Sequence, residues 1–118
     1  MLTLFDRYDW LFTSWHVVRY EQEEGAYMLH IDAHLIDGSL LKVRDYLFFN
    51  GERKYSYHWM NADKTLRRRW DNAPHWPDVA TFPHHVHVAD EKSPRVSVIT
   101  NLEDLLVFLE DYYSSRMA

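Results

Sequence analysis

The sequence predicts an α+β domain: an antiparallel meander of five to seven strands, with a C-terminal helix and a short N-terminal helix packed on it. Three observations carry this. Apolar and polar residues alternate with period two through most of residues 15–71, the mark of strands with one buried face. Asp37-Gly38 and Asn50-Gly51 interrupt that alternation as hairpin signals, because Gly tolerates the positive φ of a tight turn. From Leu102 the apolar spacing becomes helical. A chain of 118 residues is long enough for one core and one domain.

In chain order, Leu4, Tyr8, Leu11, Phe12 and Trp15 fall at helical spacing and predict the N-terminal helix. A first strand follows, with Trp15, Val17 and Arg19 opposite His16, Val18 and Tyr20, and Glu23-Glu24-Gly25 turns it. The second strand puts Tyr27, Leu29, Ile31, Ala33 and Leu35 on an apolar face, and His30, Asp32 and His34 on a wet one. Asp37-Gly38 and Asn50-Gly51, read as two-residue turns, bracket a third strand. A fourth runs from Arg53 to Trp59, with Tyr55, Tyr57 and Trp59 alternating against Lys54, Ser56 and His58. Asn61-Ala62-Asp63 turns it into a fifth, Thr65 to Asp71. Short strands are expected at His84–Val88 and Val96–Ile99. Thr100 and Glu103 read as a capping box for the last helix, whose stripe is Leu102, Leu105, Leu106, Leu109, Tyr112 and Tyr113.

A net charge of −5 and a pI near 5.8 argue against a surface built wholly for nucleic acid, while allowing a local basic patch. The absence of cysteine excludes disulfides and thiolate chemistry, so any metal would sit on His, Asp or Glu. No Gly-rich phosphate loop appears, and no organic cofactor is expected. Without a membrane-length apolar run or a signal-peptide pattern, the expected setting is cytoplasmic. Edge strands and abundant aromatics leave a homodimer open.

The chemistry concentrates in Arg69-Trp70-Asp71-Asn72-Ala73-Pro74-His75 and Thr81-Phe82-Pro83-His84-His85-Val86-His87. Histidine suits proton transfer and metal ligation near neutral pH. On an extended segment His85 and His87 share a face while His84 points away, so two imidazoles converge. Arg69 offers a phosphate contact, and Asp71 shares its face and orients an imidazole or the guanidinium. Tyr57 and Trp59 offer stacking surfaces for a base, and His58, on the other face of that strand, is the weaker candidate. Asn72 and His75 complete the substrate-binding set, although Asn72 and Asp71 equally suit turn capping. Asp45 interrupts an apolar face and needs a partner, for which Arg69 is a candidate; an acid/base role is its alternative. A structural role for His85 and His87 stays open, as does metal binding by His75, His85 and His87.

Together with Tyr55-Ser56-Tyr57-His58-Trp59, these blocks resemble the TumE-type toxin family of prokaryotic toxin–antitoxin systems, over most of the chain. The resemblance implies a single-domain toxin, a cognate helix-turn-helix antitoxin as partner, and RNA as the expected target. One departure is Trp76, where the family pattern often has a further His. On the residues themselves, metal-independent RNA cleavage would use His85 and His87 for proton transfer and Arg69 for phosphate, with Asp71 and Asp45 in support. A non-enzymatic interaction module and a small His-ligated metalloprotein are the alternatives.

Overall fold

The structure, a computed structural model, describes residues 2–117. Seven strands lie in one antiparallel sheet in chain order: β1 (Phe12–Glu23), β2 (Ala26–Leu35), β3 (Leu40–Leu47), β4 (Arg53–Met60), β5 (Leu66–Asp71), β6 (His85–Val88) and β7 (Arg95–Val96). A short helix α1 (Leu2–Arg7) precedes the sheet and a longer helix α2 (Leu102–Met117) follows it. The predicted meander is the observed one.

The N-terminal helix is shorter than its apolar spacing predicts. Six residues cannot hold a helix alone, and α1 is anchored by Phe5, whose ring meets those of Phe12 at 5.2 Å and Trp15 at 5.0 Å. A 3-10 turn (Asp9–Leu11) then releases the chain into β1 at Phe12, because pairing with β2 extends back to Phe12 opposite Leu35. A register shift between Val17 and Arg19 sets Arg19 across from His30, away from the face of Val17.

The turns also differ from expectation. The type I′ geometry belongs to Glu24-Gly25, both at positive φ. Asp37-Gly38 and Asn50-Gly51 instead sit in three-residue loops, which the hairpin after β4 repeats. In each, the residue before the loop donates to and accepts from its far side: Leu35 with Ser39 and Gly38, Phe48 with Glu52 and Gly51, Asn61 with Thr65 and Lys64. The middle residue, Asp37, Asn50 or Asp63, accepts a hydrogen bond from the backbone N–H two positions on, at 3.0 Å in all three. The third residue takes φ near +80°: Gly38, Gly51 and, without glycine's freedom, Lys64.

One face of the sheet is covered. Leu29, Ile31, Leu41, Val43, Tyr55, Tyr57, Trp59, Trp70 and Val86 point to it and pack with Leu102, Leu105, Leu106, Leu109 and Tyr113 of α2. Trp59 bridges the layers, stacking on Trp70 and donating its indole N–H to Ser39, which also bonds the Tyr113 hydroxyl. The cap of α2 is Asn101, whose side chain accepts the Asp104 N–H and donates to the Asp104 carboxylate. Thr100 and Glu103 are not the capping pair, because the helix begins at Leu102 and Asn101 takes the N-cap position. The seventh strand is only Arg95–Val96, because the Ser97 hydroxyl bonds the Ile99 backbone and bends the chain out of the ladder.

Candidate functional site

The opposite, open face collects the polar alternates of the same strands. Strand register places Asp71 directly across from His85 and Arg69 directly across from His87. The Asp71 carboxylate becomes a hub. Its Oδ1 accepts the Ala73 N–H at 3.0 Å and lies 2.9 Å from His85 Nε2; its Oδ2 accepts from Arg69 Nε at 3.2 Å and lies 3.9 Å from His87 Nε2. Asp71 therefore both caps the turn and orients the cluster. His85 is buried, only 2 % exposed, with Nδ1 on the Pro83 carbonyl at 2.9 Å, so Nε2 is the nitrogen turned to Asp71.

His87 is the member of the histidine pair that reaches solvent, its ring edge-on to His85 at 4.9 Å and to Trp76 at 6.0 Å. Burial, and then the neighbouring Arg69, hold its imidazole below the ordinary value against the pull of Asp71. At pH 7 the ring is thus mostly neutral and able to take a proton. His58 lies on this face directly across from Arg69, and burial, Arg69 and Lys42 push it down as well.

Other candidates are placed elsewhere. Tyr57 and Trp59 are buried under α2, so neither offers a base a stacking surface; the β4 residues that lie beside the site are Ser56, across from Asp71, and His58, across from Arg69. The alternation that put Tyr55, Tyr57 and Trp59 on one face already marked that face for the helix. Asp45 belongs to the covered face too, and its partner is Arg53, at 3.0 and 3.1 Å, not Arg69. The Tyr27 and Tyr57 hydroxyls also donate to it. Asp45 is accordingly one half of a buried ion pair on the face opposite His85 and His87. Asn72 bonds the Tyr55 N–H and the Arg53 carbonyl, continuing the β4–β5 ladder, so its amide is engaged in the fold. His84 does point away, its Nδ1 meeting the Tyr55 hydroxyl at 2.8 Å. His75 lines a separate surface hollow with Trp76, Pro77 and Val96.

A metal would find one set of donors. Among the described residues, the ligand atoms of Asp71, His85 and His87 lie within 4.8 Å of one another, and His75 is not in that group. The Pro83 carbonyl on His85 Nδ1 is the outer-shell contact that orients a ligating imidazole, so the donor chemistry fits a divalent transition metal; Arg69 on the same carboxylate opposes it.

The model of the family described as Toxin TumE matches residues 1–113, which spans both helices' packing faces and the whole open-face cluster. The chain belongs to the TumE toxin family. No curated protein and no solved structure matches it. Membership in TumE gives a toxin role, and a toxin family implies an antitoxin partner in general. Among the described residues of this TumE chain, no helix is long and apolar enough to cross a membrane.

Proposed function

We propose that this toxin cleaves RNA without a metal, at the cluster of His87, Arg69, Asp71 and His85. The observation that supports the reading best is the solvent-reaching imidazole of His87 set across from the Arg69 guanidinium. His87 takes the proton of a 2′-hydroxyl, the 2′-oxygen bonds to phosphorus, and the bond from phosphorus to the 5′-oxygen breaks. A 2′,3′-cyclic phosphate remains, the departing 5′-oxygen takes a proton from water, and the hydroxide so formed takes back the proton held by His87. Arg69 faces the charge that grows on the phosphoryl oxygens. Asp71 and the buried His85 act as positioning residues. The same reading takes the partner to be a cognate helix-turn-helix antitoxin and the compartment to be the cytoplasm, with the outer edge of β1 open to a second copy.

The test is incubation of the purified protein with total RNA, with and without EDTA, beside a folded His87→Ala variant. Cleavage should survive EDTA and fall about 10²- to 10⁴-fold in the variant, the usual reach of general acid–base catalysis. Undiminished cleavage by His87→Ala overturns the assignment. The convergence of donors at Asp71, His85 and His87 favours a second reading, a metal-dependent activity, and EDTA-sensitive cleavage would select it. No cleavage under either condition would leave a protein-binding toxin.

A further inference from the structure

The open face extends well beyond the histidine cluster. Register aligns Lys42 on β3, His58 on β4, Arg69 on β5 and His87 on β6 in one continuous row. In the next row, Arg44 stands opposite Ser56, which stands opposite Asp71. Lys42, Arg44, Ser56 and His58 line a depression of about 260 Å³ between the rows. Lys42 and Arg44 are exposed, and among the described residues neither has an acid within ion-pair distance. On β2 the character changes to His30 and Asp32, 3.3 Å apart, which bounds the basic region. A chain of net charge −5 thus keeps a basic strip on the face that no helix covers.

From this we propose that Lys42 and Arg44, with His58 between them and the cluster, form a track for the phosphodiester backbone of single-stranded RNA leading to His87. The inference rests on the RNA-cleaving reading above. Three inter-strand steps of ~4.8 Å carry the row over ~14 Å, enough for more than one phosphate. Unpaired cations on a flat sheet complement a polyanion. The aromatics of β4 and β5, namely Tyr55, Tyr57, Trp59 and Trp70, all face α2, so these two strands offer the track no stacking platform, and contacts to phosphate alone carry no base information.

Binding and cleavage are separated by a fully 2′-O-methylated oligoribonucleotide, which keeps the phosphates and lacks the attacking hydroxyl. Its affinity is measured by fluorescence anisotropy between 50 and 200 mM salt, for the wild type and for Lys42→Gln/Arg44→Gln with its fold checked by circular dichroism. Wild-type binding should weaken steeply with salt. The double variant should bind about tenfold or more weakly, with its salt slope reduced by roughly 2, one per lost phosphate contact. Equal affinity and slope in the two proteins overturn the track, and unmodified RNA still cleaved by both would leave the cleavage reading standing. Tight binding of the methylated RNA that depends on Lys42 and Arg44, with unmodified RNA uncut, would support the track and refute the cleavage reading. If the double variant keeps RNA binding and loses its antitoxin instead, the face belongs to that protein and the track is overturned.

Discussion

Replacing Arg53 by Ala should unfold a large part of the stability margin through a single buried carboxylate. Asp45 is 2 % exposed and takes four donor contacts: two from Arg53 and one each from Tyr27 and Tyr57. Burial and the Asp45 charge push the Tyr57 hydroxyl above its ordinary value, so it stays protonated as a donor. The variant leaves those two neutral donors to hold an uncompensated charge. Breaking a buried pair in this way costs about 3–5 kcal/mol, and the partial exposure of the Arg53 side chain, 30 %, points to the lower end. Loss of its 2.7 Å bond to the Thr100 carbonyl, at the entry to α2, adds about 1 kcal/mol. The sum, about 4 kcal/mol, is about a quarter or more of the 5–15 kcal/mol typical of a domain. Urea unfolding at pH 7, followed by tryptophan fluorescence, reads it as a lower midpoint at unchanged slope. Arg44→Ala, on the open face, should stay within about 0.5 kcal/mol. The reasoning fails if Arg53→Ala loses less than about 1.5 kcal/mol, or if the Arg44 control loses as much.

Two further predictions concern stability. His58, His84 and His87 are all held below the ordinary histidine value, first by burial and then by a neighbouring guanidinium, Arg69 for His58 and His87 and Arg53 for His84. The unfolded chain therefore binds more protons than the folded one as pH falls through about 6.5, and stability present above that value is progressively lost below it. The melting temperature should be lower at pH 5.5 than at pH 7.5, and a flat profile would contradict the three depressed histidines. At the start of α2, Asn101→Ala should cost about 1 kcal/mol in denaturant unfolding, the usual worth of an N-cap. Thr100→Ala should change little, and the reverse ranking would restore the capping pair that the sequence pattern predicts.

Face assignments were legible where alternation was regular. Lys54, Ser56 and His58 against Tyr55, Tyr57 and Trp59 state two faces without any structure, and the pairing of Arg69 with Asp71 follows from the same period. Contacts set by register were not legible. Nothing in the spacing between Asp71 and His85 says that they stand opposite one another, because the intervening loop fixes that pairing. Asp45 found Arg53 by the same route: a three-residue loop at Phe49-Asn50-Gly51 brings Arg53 across from Leu47, diagonal to Asp45, where a two-residue turn would shift the register. Tyr57 and Trp59 were misread for a different reason. Large aromatics suit a base and a core equally well, and only the helix that covers their face decides between them.

The helix covers one side of the sheet only, and this sorts the consequences of mutation residue by residue. Along β4 and β5 neighbouring positions answer to opposite demands, with Tyr57 and Trp70 serving the packed layer and His58 and Arg69 the exposed one. A saturation scan of residues 53–60 and 66–71 that scored abundance and toxicity separately would then show two combs offset by one residue. Under the proposed function, substitutions on one comb would remove the protein from the cell, while those on the other would leave it abundant and harmless. On that reading, harm and foldedness would be inherited on alternate codons and could be lost one at a time.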